Sequence, residues 1–145
     1  MYEVNLRAFS QDGNLAGVQQ KLDHLASLGV NVIWLMPIQT NGGPLNSPYC
    51  ISNFYEVDEE YGTLADLRAF VDEAHNRDMA VILDWVANHT SWDHPWIDST
   101  GWYNTDAQGN IIHPSGTNWT DVADLNFDNM ACLLYTSPSP RDIGE

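Results

Sequence analysis

Apolar strand-like runs alternate with segments of helical periodicity along the first 86 residues, and this order restricts the fold more than any other feature. Val4 to Phe9 reads as a first strand, with the strand character extending back to Tyr2. Leu15, Val18, Leu22 and Leu25 then recur at helical spacing. Gly29 stands where that helix should stop, as a C-terminal glycine. "VNVIWLMPI", residues 30–38, is a buried strand halted by Pro37. Thr63 and Asp66 form a T-x-x-D capping signal, and Leu64, Leu67, Phe70, Val71 and Ala74 give the next helix its apolar face. "MAVILDWV", residues 79–86, is the third strand. A polar loop is expected over roughly residues 39–62, and a loop-rich region beyond Thr90.

Strand, helix, strand, helix, strand implies parallel strands joined by right-handed crossovers. A doubly wound nucleotide-binding fold would place a glycine-rich turn after its first strand. "SQDGNLAG" contains no G-x-G-x-x-G. A (β/α)8 barrel places its chemistry in the loops after its strands, and here those loops are long, polar and aromatic. The expected fold is α/β, a partial TIM (β/α)8 barrel covering the first three strands and the start of an excursion after strand three. Such barrels need about 250 residues, and this chain has 145.

Charge removes two classes of partner. Five Lys and Arg face twenty Asp and Glu, for a formal charge of -15. That surface repels phosphate backbones and anionic lipids, so neither nucleic acid nor membrane is expected as a partner. The apolar runs are too short for a membrane-spanning helix. "MYEVNLRAFS" lacks the basic start and apolar stretch of a signal peptide and reads as a chain already inside its first strand. Met1 is therefore expected to be an internal methionine of a longer parent.

Three polar residues interrupt the third strand and its exit. In "VILDWVANHT", Asp84, Asn88 and His89 follow directly on Val81, Ile82 and Leu83. Polar groups are costly to bury unpaired, so their place at a strand end needs a reason. The C-terminal ends of barrel strands are where active sites are built. A carboxylate there can accept sugar hydroxyls or orient a cation, an Asn oxygen suits calcium, and an imidazole can donate to a hydroxyl. No second His at helical spacing completes a zinc motif. Six Trp, six Tyr and many loop Asn and Asp fit a carbohydrate cleft, because sugar C–H faces stack on aromatic rings.

"DWVANH" resembles the first conserved region, D-x-x-x-N-H, of the α-amylase family, glycoside hydrolase family 13. Further segments agree in the family's order. "YEVNLRAF" resembles the first strand, and "LASLGVNVIWLMPI" the first helix end and second strand. "SPYCISNFYEVDEEYGT" is similar to the segment written G-Y-D-x-x-D-Y. "HTSWDHPWI" continues the first region, and "WTDVADLNFDN" resembles the excursion after strand three. The resemblance runs nearly continuously over residues 2–130.

The resemblance implies roles residue by residue. Tyr49 matches the tyrosine that stacks under the sugar, and His89 the histidine that hydrogen-bonds it beside the scissile bond. Asp84 matches the aspartate that lies beneath the catalytic carboxylates and holds a downstream arginine. Asn88 matches a calcium ligand of many members, and Asp124 a second ligand in some. Cys50 departs from the pattern, standing where the family often has Asp. The implied chemistry is retaining hydrolysis of α-glucosidic bonds in starch-like glucans, by a carboxylate nucleophile and an acid/base carboxyl. Those two groups follow later strands, so none is expected within this chain. Glucan transfer or isomerisation, as in branching enzymes or trehalose synthases, and a non-catalytic amylase-like binding subunit are the alternatives. A polymeric substrate suggests a secreted or periplasmic parent.

Residues 1–90 are thus expected to be the first part of the barrel, and 91–131 the start of the insertion after strand three. "CLLYTSPSPRDIGE", residues 132–145, shows neither helical nor strand periodicity. Its first part resembles the translation of a sequencing adapter, so these residues are expected to be a non-native, dispensable tail. Cys50 is then the only native cysteine, and no disulfide is inferred.

Overall fold

The computed structural model describes residues 1–43 and 47–136. The chain divides into two compact units, one comprising residues 1–40 and 54–85, the other 41–53 and 86–145.

In the first unit, β1 (Tyr2–Val4), β2 (Val32–Leu35) and β5 (Ala80–Leu83) form a parallel sheet in the order β1-β2-β5. Tyr2 pairs with Ile33, Val32 with Ala80, and Leu35 with Leu83. The parallel sense expected from the strand–helix alternation is therefore present. β1 is shorter than the sequence suggests. Asn5 adopts an extended conformation and its side chain accepts from the Arg7 N–H, so it caps a short helix α1 (Leu6–Phe9) instead of continuing the strand.

The stripe of Leu15, Val18, Leu22 and Leu25 is buried as expected, but on two helices, not one. α2 (Leu15–Gln19) starts at Asn14, whose side chain accepts from the Gly17 N–H. α3 (Leu22–Ser27) begins after Lys21, which lies outside the helical region at φ -103°, ψ 3°. The apolar spacing survives the break because burial of all four side chains rewards the stripe, not the continuity of one helix. Gly29 ends α3 at φ +76°, with Gly29 N–H on Ala26 O and Val30 N–H on Leu25 O. That pattern is a Schellman motif, whose left-handed position favours glycine.

Thr63 and Asp66 form the reciprocal capping box expected of them: Asp66 N–H donates to Thr63 Oγ1, and Thr63 N–H to Asp66 Oδ2. They open α4 (Leu64–His75). Phe70, Ala74 and Met79 complete a core with Ile33, Leu35 and Tyr61. Arg7 and Glu60 form a bidentate ion pair beside this core, with Arg7 over the Tyr61 ring. The expected loop over 39–62 contains a two-stranded sheet, β3 (Gln39–Asn41) and β4 (Ile51–Val57). Ile51 and Val57 supply β-branched residues that the glycines and prolines around them obscured.

The second unit is built on an antiparallel pair, β6 (His89–Ser91) and β7 (Val122–Asp124). His89 lies opposite Asp124, Thr90 opposite Ala123, and Ser91 opposite Val122. Thr90 is fully buried and its hydroxyl meets the Tyr103 hydroxyl at 2.7 Å. Tyr103, Ala123, Leu125 and Cys132 form a second core, flanked by Trp96, Trp102 and Ile111. A 3-10 turn over Pro95–Asp98 is capped by His94, whose Nδ1 accepts from the Trp96 N–H.

Residues 132–136 are helical, where the sequence shows no periodicity. α5 spans Met130–Thr136, opened by Asn129, whose Oδ1 accepts from Ala131 and Cys132 N–H groups. Cys132 is fully buried and its thiol donates to Trp102 O at 3.4 Å. A helix cap and one buried side chain thus supply structure where periodicity showed none. The remainder of the proposed tail, 137–145, lies outside the described residues. No helix among the described residues is long and apolar enough to cross a membrane.

Candidate sugar-binding cleft

β6 begins at His89, and the strand buries that side chain to 8% exposure. Asn88, just before the strand, turns its amide nitrogen to within 3.0 Å of His89 Nδ1. Nδ1 must then accept, which places the ring proton on Nε2. That Nε2–H donates to the main-chain carbonyl of Tyr49 at 3.1 Å. Burial pulls the imidazole pKa below the ordinary histidine value, and the hydrogen bond to Tyr49 with the charges of Asp121 and Asp124 opposes the shift. The net direction keeps His89 neutral, as a single-donor, single-acceptor ring.

A cleft of about 380 Å3 opens beside it, lined by Ser47, Tyr49, His89, Trp119, Asp121 and Val122. Trp119 is half exposed and meets the His89 ring edge-on, with centroids 5.8 Å apart at 65°. An aromatic face, a neutral imidazole, a tyrosine, a carboxylate and a serine within one cleft provide the stacking and polar partners that a sugar requires.

The structure brings Tyr49 and His89 to one cleft. Asp84 belongs to the other unit. It follows β5, and its N–H continues the strand ladder to Leu35 O at 3.0 Å. Asn88 immediately precedes β6, and Asp124 ends the facing strand β7. The Asn88 carbonyl accepts from Leu125 N–H, and the Asp124 carboxylate accepts from the Asn104 amide at 2.7 Å. Two such oxygens are fewer than the six to eight that calcium takes. Among the described residues no group of three or more His, Cys, Asp or Glu is gathered around a possible metal position.

Sequence reasoning did not single out Ser47, Asp121 or Val122 for the cleft, and it noted Trp119 only as one of several loop aromatics. Their approach depends on the β6–β7 pairing, which joins positions some thirty residues apart. The segment carrying Trp119 and Asp121 is held from behind. Thr117 Oγ1 donates to Pro114 O, and Trp92 Nε1 donates to Thr120 O at 3.0 Å. Cys50 is 1% exposed and its thiol donates to Asp121 O at 3.2 Å. Burial pushes the Cys50 pKa up, so the thiol keeps its proton.

Comparison with known proteins places the chain in a family. Residues 7–118 match the alpha-amylase catalytic domain. The chain is 31% identical to Alpha-amylase 3 of Dictyoglomus thermophilum over 88% of its own length and 30% of that protein's. It is 45% identical to the trehalose synthase/amylase TreS of Mycobacterium tuberculosis over 95% of its length and 23% of that protein's. Among solved structures, an alpha-amylase from Lactobacillus plantarum superposes with a TM-score of 0.86 at 39% identity, covering 93% of this chain and 33% of that one. The chain thus spans a third or less of each of these relatives.

Proposed function

The chain belongs to the α-amylase family, and on that premise we propose that its protein is a retaining glycoside hydrolase acting on α-glucosidic bonds of starch-like glucans. The observation that carries this reading is the His89–Tyr49 contact at 3.1 Å beside Trp119 in one cleft. Tyr49 would stack under the reacting sugar and His89 would hydrogen-bond it. Asp84, at the end of β5, would orient the catalytic apparatus without attacking the sugar itself. The reaction needs a nucleophile carboxylate and a carboxylic acid that acts first as acid and then as base. Neither role is assigned to a residue of this chain, so its own contribution is to bind and orient.

The 45% identity to a protein named trehalose synthase/amylase supports a second reading, in which a sugar hydroxyl replaces water as the acceptor. Both readings need the same sugar cleft, whereas a non-catalytic binding subunit would not need turnover. Assay of the full-length protein on maltoheptaose and on maltose separates them. Shorter maltooligosaccharides mean hydrolysis, trehalose from maltose means isomerisation, and no product from either substrate would leave only the binding role.

Calcium is a separate proposal. Asn88 and Asp124 would supply two oxygen ligands, with the others from parts of the full-length protein beyond these 145 residues. Added calcium should then raise the melting temperature of the full-length protein but leave that of the 145-residue chain unchanged. Equal shifts in both would contradict this division of ligands.

A further inference from the structure

Cys50 lies directly after Tyr49 in the chain and is fastened on every side. Its N–H donates to Ser47 O at 3.0 Å, and its carbonyl accepts from Gly42 N–H at 2.7 Å. Its thiol reaches across to Asp121 O at 3.2 Å. Ser47 and Tyr49 form one wall of the cleft, while Trp119, Asp121 and Val122 form the other. The thiol bond joins the two walls by side chain to backbone. A second feature shows how closely this corner is packed: a Cβ on Gly42 would collide with the Asp93 carboxylate and approach Ser91 Oγ to 2.8 Å.

We propose that Cys50 is a positioning residue for the sugar cleft, its buried thiol latching the Tyr49 wall to the Asp121 wall and setting the distance between them. The latch also accounts for the departure from the family's aspartate. The Asp121 carbonyl is an acceptor and needs a donor opposite. A thiol supplies one, whereas an ionised carboxylate supplies none and would be buried near Asp93 and Asp121. Cys50 touches no substrate in this scheme, so its effect passes through Tyr49 and Asp121.

The inference rests on the carbohydrate reading for its ligand but not for its geometry, so the test has two readouts. The 145-residue chain and its Cys50→Ser, Cys50→Val, Cys50→Ala and Cys50→Asp variants are compared. The first readout is amide hydrogen exchange over residues 117–122 without ligand, and the second is maltotriose affinity by calorimetry. Loss of the donor in Cys50→Val should speed exchange over 117–122 and weaken maltotriose binding about three- to tenfold, the range of one modest hydrogen bond. Cys50→Ser keeps a donor and should restore both to within about twofold. Cys50→Asp should resemble Cys50→Val or be worse. Cys50→Ala removes the donor without a branched side chain and gives the same comparison if Cys50→Val does not fold. Wild-type exchange and affinity in the donorless variants would overturn the proposal, as would failure of Cys50→Ser to rescue exchange. If the wild-type chain binds no maltotriose, the carbohydrate reading falls, and the exchange rates alone still decide the latch.

Discussion

The Nε2–H of His89 is committed to the main-chain carbonyl of Tyr49, 3.1 Å away, while Asn88 occupies its other ring nitrogen. The imidazole is thereby fixed in tautomer and orientation before any sugar arrives. A sugar hydroxyl that takes the Nε2 proton must share it with Tyr49 O or displace it. In the full-length protein, His89→Ala should lower turnover by roughly 10² to 10³, as expected for a donor that acts on developing charge. Steady-state kinetics on maltoheptaose check this, and a raised KM with unchanged kcat would instead mean uniform binding.

His94 should make the second unit sensitive to acid. Burial, partly opposed by Asp93, pulls its pKa from 6.5 to about 4. The folded value lies below the unfolded one, so the unfolded chain takes up the proton first. The stability from neutral His94 is complete above pH 6.5 and is lost as pH falls towards about 4. The full loss is about 3 kcal/mol. Protonation also abolishes the acceptor that caps the Pro95–Asp98 turn. Melting curves from pH 7 to pH 4 should show a shallower decline for His94→Asn, which can still cap. Parallel declines would assign the acid sensitivity elsewhere.

The three-stranded sheet should drive self-association. β1 and β5 are its edges, and Ile82, Leu83 and Trp85 are each more than two-fifths exposed. Apolar edge strands recruit further chains. Sedimentation of the 145-residue chain should show association that grows with concentration, and Ile82→Lys should reduce it. A strictly monomeric wild-type chain at high micromolar concentration would refute this.

Truncation after Ala131 tests the last segment. Cys132 is fully buried against Tyr103 and Leu125, so its removal opens the second core. A loss of roughly 1–3 kcal/mol is expected, comparable to deletion of one small buried side chain. Chemical denaturation followed through Trp102 checks it. An unchanged midpoint would show residues 132–145 to be dispensable.

Glucan cleavage should be absent from the 145-residue chain and present in the full-length protein. Reducing-end release from maltoheptaose measures it, and activity in the short chain would require the catalytic carboxylates to lie here after all.

The parallel sheet was legible in the sequence because strand and helix periodicities alternate, and parallel strands need helical crossovers of about that length. Thr63, Asp66 and Gly29 announced their caps because capping depends on neighbours a few residues away. His89 stood out as a polar group just past the third strand, and the family resemblance implied the roles of both it and Tyr49. Tertiary structure decided the rest. Asn5 ended β1 early because its side-chain hydrogen bond to the Arg7 N–H overrode a pattern that reports only burial, and the stripe of Leu15 to Leu25 broke at Lys21 without losing its burial. β3 was hidden because it is only three residues long, and β4 because its burial does not alternate along the strand. Trp119 and Asp121 entered the cleft through the β6–β7 pairing, and the Cys50 thiol found the Asp121 carbonyl 71 residues away. Such contacts join residues remote in sequence, and no local propensity encodes the register that brings them together.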